Sequence, residues 1–303
     1  MIDFKKPGYE DYDTLQRYFT RDNKWHTENL WDITCDHVFG TTFFWREYYN
    51  TEYAVIDDSL VLKISTGGTT MFSVPIGGDN IPAILNTIKE YSHSRGIPLY
   101  FCFVPEQHLQ YFDQVFDVVF ASEEYDWSDF VYDIESLKDY SGRKYHGQKN
   151  FLNRFIKQNA DAEYIPVTES NATLIKKFAE EWNVSSQELH DMALAETKAV
   201  IETLDNWDYN YSLCGGYITS SDRVIGFTIG EIVGDTVYVH VEKADHTIPG
   251  AYQFLSSSFL KNLDNADIRF VNREEDMGLP GLRKAKLSLH PIKLLKKFTV
   301  YCC

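Results

Sequence analysis

The dipeptide Gly234-Asp235 separates two runs of alternating residues, Val224–Val233 and Thr236–Lys243. A Gly-Asp pair between such runs predicts a two-residue hairpin turn, and with it an antiparallel sheet whose side chains alternate with period two. A second hairpin is expected between Leu213–Thr219 and Val224–Val233, turning at Ser220-Ser221-Asp222. After the third strand a loop reaches Gly250 and opens a helix with Tyr252, Leu255, Phe259 and Leu263 on one stripe. A strand at Ile268–Asn272, a short helix at Pro280–Ser288 and a last strand at Lys296–Tyr301 complete this half, and helices at Thr173–Trp182 and Leu189–Leu204 precede it.

The first half runs in the same order. Asp11–Phe19 reads as a helix, Tyr53–Ile56 and Leu60–Ile64 as a hairpin, and Thr70–Val74 as a further strand. Gly77-Gly78-Asp79-Asn80 opens a helix carrying Ile81, Ile84, Leu85, Ile88 and Tyr91 at helical spacing. Leu99–Val104, a helical Glu106–Phe112 and a strand at Asp129–Ile134 follow. The halves share this order without convincing residue identity, which predicts a pseudo-duplicated α+β protein. A chain of 303 residues suits two domains, expected at 1–135 and 136–303.

Composition narrows the function classes. No apolar run approaches the ~18 residues that cross a bilayer. The opening Met1-Ile2-Asp3-Phe4-Lys5-Lys6 lacks the apolar core of a secretory signal. Cys35, Cys102, Cys214, Cys302 and Cys303 are scattered and form no C-x-x-C pair, so neither a disulfide framework nor a cysteine zinc site is expected. A reducing cytoplasm fits. Net charge is −16, against a surface built wholly for nucleic acid. The charge is uneven: residues 1–135 hold 9 Lys/Arg and 23 Asp/Glu, and the remainder 20 and 22. Two basic segments, 136–157 and 283–303, carry +5 and +6. They are either two solvated faces or one anion-binding wall on the second domain.

The Gly234-Asp235 turn sets a register in which Glu231 faces Tyr238, Ile229 faces His240 and Phe227 faces Glu242. Alternation then gathers Glu231, Tyr238, His240 and Glu242 on one face and Val237, Val239 and Val241 on the other. A carboxylate can accept the proton of an attacking amine, and a Tyr or His can return one to a leaving group. The polar outer face of a half-exposed sheet accounts for the same pattern. Asn272, Glu274 and Asp276 follow a strand end. Arg283 and Lys284 sit in the first turn of a helix, where the dipole opposes them and a bound anion would favour them. His26 and His37 show no helical ligand spacing, and Cys302-Cys303 reads as a frayed end.

Ser141-Gly142-Arg143-Lys144-Tyr145-His146-Gly147, Asn153-Arg154-Phe155, Gly226–Glu231, His240–Asp245, Gly250–Gln253, Asn272–Gly278 and Gly281–Lys286 together resemble a bacterial family. That family is related to the C-terminal domain of phosphatidylglycerol lysyltransferases. The resemblance covers nearly the whole chain. It implies an α+β fold of two tandem GNAT-like (acyl-CoA N-acyltransferase-like) domains, each a mixed, mostly antiparallel sheet flanked by helices. It also implies kinship with aminoacyl-tRNA-dependent peptide-ligating transferases. Transferases of this fold cradle coenzyme A with Arg/Gln-x-x-Gly-x-Gly/Ala; here the run is Thr247-Ile248-Pro249-Gly250-Ala251-Tyr252. Gly250 and Ala251 keep the cofactor-binding positions, whereas Pro249 removes a donor and Tyr252 crowds the approach.

The expected function is therefore acyl or aminoacyl transfer to an amine or hydroxyl, with aminoacyl-tRNA or acyl-CoA as donor. Glu242 or Glu231 would be the base and Tyr238 or His240 the proton donor. Arg143, Lys144, Asn272, Glu274, Arg283, Lys284 and Lys286 would bind substrate or its phosphates, with a tRNA acceptor end or another phosphate-bearing molecule as partner. No metal site is expected, and the acidic first domain is expected to be structural or substrate-positioning. The alternative is a non-enzymatic ligand- or partner-binding protein that kept the fold.

Overall fold

A computed structural model describes residues 2–25, 33–182, 190–207 and 212–303. Its helices are α1 (Tyr12–Trp25), α2 (Phe39–Trp45), α3 (Ile81–Arg95), α4 (Ile134–Asp139), α5 (His146–Gln158), α6 (Thr173–Glu181), α7 (His190–Asp205), α8 (Ala251–Lys261) and α9 (Pro280–Leu287). Its strands are β1 (Glu52–Ile56), β2 (Ser59–Thr66), β3 (Thr69–Phe72), β4 (Tyr100–Pro105), β5 (Val119–Glu123), β6 (Asp129–Asp133), β7 (Glu163–Pro166), β8 (Leu213–Ser220), β9 (Arg223–Val233), β10 (Thr236–Ala244), β11 (Phe270–Asn272), β12 (Lys293–Leu295) and β13 (Lys297–Cys302).

The first compact unit comprises Met1–Asp129, Glu275–Gly278 and Leu295–Cys303. Its sheet runs β1-β2-β3-β4-β13-β5, antiparallel except where β3 meets β4 through Phe72 and Phe101. Helix α3 makes that parallel crossover. Asn80 caps it by accepting from the Ala83 N–H at 3.2 Å, a bond worth about 1 kcal/mol, and Gly96 ends it at φ 62°. Its stripe of Ile81, Ile84, Leu85 and Ile88 is buried with Phe72, Phe101, Val104 and Val300. At ~1.5–3 kcal/mol for each aliphatic side chain, this stripe fixes the helix more firmly than its cap does. A second cluster joins Leu15 and Phe19 of α1 to Tyr53, Leu60 and Leu62.

The second unit comprises Phe130–Glu274 and Leu279–Leu294. Its sheet runs β12-β6-β11-β10-β9-β8-β7, and β10 and β11 pair in parallel. Helix α8 makes the crossover between them, burying Phe259 and Leu260 with Val237, Val239 and Val271, and Leu255 with Ile218, Ile225 and Ala244. Two hairpins, a crossover helix and a parallel strand thus occur twice, as the element order predicts. The fold is α+β, with two units that each pack helices on a mixed, mostly antiparallel sheet.

The units do not follow the expected single cut near residue 135. Strand β6, expected to close the first sheet, lies between β11 and β12 in the second. Strand β13, expected in the second, lies between β4 and β5 in the first. Alternation marks a strand but does not say which sheet it joins, so local pattern could not reveal this exchange. Cys302 is consequently buried in β13, opposite Val119, rather than frayed. Helices α2 and α4 and strands β5, β7 and β12 were not expected.

Candidate functional site

The β9/β10 hairpin positions the candidate residues of the second unit. Gly234 supplies the positive φ of the turn at 60°, and Val233 and Glu231 pair with Thr236 and Tyr238 as predicted. Beyond Val239 the register slips: Gly230 pairs with Val239, and Ile229 with Val241. His240 is the extra residue of a β-bulge. The expected pairs Ile229 with His240 and Phe227 with Glu242 are replaced by Glu242 with Thr228 and Lys243 with Phe227. A bulge changes the phase of alternation, and with it the face on which later side chains stand.

Its consequence is that the four expected catalytic residues do not form one group. His240 lies with Glu231 and Glu274. Its Nδ1 is 2.8 Å from Glu274 Oε1 and its Nε2 is 3.4 Å from Glu231 Oε2. Ser212 Oγ donates to the other Glu231 oxygen at 3.1 Å. Tyr238 stands directly between Glu231 and Asn272 across the sheet, and all three are fully buried. Glu242 instead accepts from Arg273 Nη2 at 2.6 Å, and Arg273 Nη1 donates to Ser256 of α8. Glu242 therefore does not join Glu231, Tyr238 and His240.

Glu274 was expected as a substrate contact and proves to be a partner of His240. It has φ 57°, a left-handed conformation that costs a non-glycine residue of order 1–3 kcal/mol. Asn272 Oδ1 accepts from the Glu274 N–H at 2.8 Å, and the Glu274 carbonyl accepts from the Phe130 N–H at 3.1 Å. These bonds hold the strained residue with its carboxylate on the imidazole. Burial by itself would lower the pKa of His240; the hydrogen bonds to Glu231 and Glu274 outweigh it and raise the value to about 9. His240 is an imidazolium at neutral pH, so it cannot serve as a resting base.

Strands β10 and β11 pair only through Thr236–Tyr238 and Phe270–Asn272. His240 and Glu274 come immediately after that pairing stops. The charged set therefore stands where β11 ends and parts from β10, which runs on beside β9 to Ala244; a parting of parallel strands is a common position of ligand sites in open sheets.

The expected cofactor loop is filled by protein. Gly250 has φ 90°, and a Cβ there would lie 2.3 Å from the Phe151 carbonyl oxygen of α5. Ala251 is fully buried in the core. Gly250 permits close packing of α8 on α5, and the Ala251 N–H already donates to the Ile248 carbonyl at 3.1 Å, so the loop offers a pyrophosphate fewer donors than the expected cradle.

The basic segments divide. Residues 144–148 and 288–290 meet: His290 Nε2 donates to the Lys144 carbonyl at 2.9 Å and Gln148 donates to Ser288 at 2.9 Å. Arg143, Lys144 and Lys284 are exposed near these contacts in sequence, and Arg283 is half-buried. Lys286 is buried, and its Nζ donates to the Arg273 carbonyl at 2.5 Å, so it serves the fold rather than an anion clamp. Lys296 and Lys297 belong to the first unit.

A family model described as phosphatidylglycerol lysyltransferase, C-terminal, matches residues 28–301. The chain belongs to that family. A conserved protein of unknown function from Bacteroides thetaiotaomicron is 29% identical, with both chains covered in full and a TM-score of 0.89. L-PGS from Bacillus licheniformis shares the fold at 11% identity and a TM-score of 0.66, over 98% of this chain and 93% of that one. An uncharacterised protein from Mycoplasmoides gallisepticum is 26% identical over 176 residues, 57% of this chain and 56% of that relative. The chain thus spans about half the length of this curated relative.

In this member of the phosphatidylglycerol lysyltransferase C-terminal family, the first unit also holds a polar cluster, which sequence reasoning missed. Lys297 is fully buried, with Nζ 2.5 Å from Asp36, 2.7 Å from Asp129, 3.2 Å from Cys35 Sγ and 3.6 Å from Glu275. Donor atoms of Cys35, Asp129 and Glu275 lie within 4.8 Å of one another, as metal ligands do. The ammonium contacts all three and takes the place of a cation. Burial, together with Asp129 and Asp36, pushes the Cys35 thiol well above its ordinary range and keeps it neutral. The cluster draws on four separated stretches of sequence. Its one local sign was a lysine in an otherwise apolar strand, read there as part of a basic wall. Among the described residues no helix is long and apolar enough to cross a membrane.

Proposed function

We propose that this protein transfers an aminoacyl group from aminoacyl-tRNA to a hydroxyl or amine acceptor, with the chemistry in the second unit. The observation that carries this reading is the charged set of Glu231, His240 and Glu274 at the parting of β10 and β11. The acceptor attacks the ester carbonyl that joins the aminoacyl group to the tRNA 3′ end. A new C–O or C–N bond forms, the ester bond to ribose breaks, and the acceptor's proton ends on the ribose oxygen. In this scheme Glu231 takes the proton, Tyr238 beside it on the same face gives its own to the leaving oxygen, and the proton on Glu231 passes to Tyr238, which restores both groups. His240 is a positioning residue that holds both carboxylates. Two carboxylates about one imidazolium give the set a formal charge of −1, suited to the α-ammonium of the donor.

The packing of Gly250 against α5 supports aminoacyl-tRNA over acyl-CoA as the donor. Arg143, Lys144 and Lys284 would meet phosphates of the acceptor end. The test presents labelled aminoacyl-tRNA or labelled acetyl-CoA to the protein with phosphatidylglycerol vesicles or with small amines. Label reaching an acceptor from tRNA alone supports the reading. Label arriving from acetyl-CoA alone, or from neither donor, overturns it.

A further inference from the structure

The first unit contains a cavity of about 40 Å³, room for a few water-sized groups. One wall is aromatic. Trp45, Tyr49, Phe103 and Trp127 follow one another with ring centroids 6.3, 6.3 and 5.6 Å apart. Phe103 reaches this wall from a residue of φ 53°, in the stretch where β4 carries one residue more than β13. Leu62 and Ile64 supply aliphatic surface, and Asp36 and Glu275 form an acidic end that they share with the Lys297 ammonium, where with Asp129 three carboxyl groups face one cation. No lysine or arginine is among the described lining residues.

We propose that this cavity binds an organic ammonium ion carried on a short aliphatic group. Aromatic faces attract a cation through the ring quadrupole, and the attraction grows when water is excluded. The apolar walls favour the alkyl part, while the carboxylates set the sign of the charge. The aromatic wall of Trp45, Phe103 and Trp127 offers a bare metal ion no oxygen ligand, and the carboxylates at the acidic end already hold the Lys297 ammonium. An anion would meet Asp36 and Glu275, and a neutral ligand would gain nothing from them. Primary and quaternary ammonium groups share this chemistry, and the test separates them. The site lies wholly in the first unit, so it stands or falls independently of transfer in the second.

Calorimetry on the whole protein, without any donor and at constant ionic strength, compares n-butylammonium, choline and the neutral choline isostere 3,3-dimethyl-1-butanol. The expected result is saturable one-site binding of at least one cation. The isostere should bind at least about tenfold more weakly, as the loss of roughly 1.4 kcal/mol of cation–π and charge attraction requires. A preference for butylammonium identifies a primary amine, and one for choline a quaternary ammonium. Asp36→Asn and Trp127→Leu should each weaken the preferred cation about tenfold while melting as folded proteins. Should Asp36→Asn fail to fold, Glu275→Gln replaces it. Equal binding of cation and isostere, wild-type affinity in the variants, or no saturable heat with any probe overturns the proposal.

Discussion

His240 meets Glu274 at 2.8 Å from a position that exists because β10 carries one residue more than β9. Without the bulge, His240 would pair with Ile229 and Glu242 would follow on its face. With it, His240 joins two carboxylates from β9 and from the end of β11, and Glu242 turns to Arg273.

Stability should depend on pH through this contact. The folded pKa of His240 is raised from 6.5 to about 9, so its contribution is complete below pH 6.5 and is lost as pH rises through 9. Urea denaturation of wild type and His240→Asn at pH 6, 7.5 and 9.5 should show a stability gap that narrows with rising pH. A constant gap contradicts the assignment.

Gly250→Ala should destabilise the second unit. The new methyl would strike the Phe151 carbonyl at 2.3 Å from a backbone at φ 90°. A loss of about 1–3 kcal/mol is expected from strain at such a conformation, read as a lower thermal midpoint. An unchanged midpoint would mean that α8 and α5 are not packed this closely.

Lys297→Met removes the ammonium from among Asp36, Asp129 and Glu275. Removing one partner of a buried ion set costs about 3–5 kcal/mol, and adding Asp129→Asn should recover part of that loss. Chemical denaturation of the single and double variants reads both steps. A double variant less stable than Lys297→Met would refute the pairing.

Much of the fold was legible because it rests on local signals. The Gly234-Asp235 turn, the Ile81–Ile88 stripe and the helix opened by Gly250 are each fixed within a few residues. The site was legible only in part. Glu231 and Tyr238 lie before the bulge, where counting from the turn still works. Glu242 lies beyond it, and no residue type announces a bulge at Val239-His240. The contact between His240 and Glu274 joins positions 34 residues apart, and Lys297 is 262 residues from Cys35. Such pairings are made by topology, which periodicity does not carry.

Changing Arg143, Lys144 and Lys284 together to Gln should weaken tRNA binding and flatten its salt dependence. Each lost phosphate contact should reduce the slope of log K against log salt by roughly 0.7–0.9. Filter binding from 50 to 300 mM NaCl provides the slopes. Identical slopes would place the tRNA elsewhere.

The central claim is that the set at the parting of β10 and β11 performs the transfer, and single-turnover loss of labelled aminoacyl-tRNA in the presence of acceptor tests it most directly. The account predicts that wild-type protein moves the label to the acceptor. Glu231→Gln should slow that step about 10²-fold or more, as expected when a general base is removed, with tRNA binding retained. Transfer by Glu231→Gln at the wild-type rate would contradict the account.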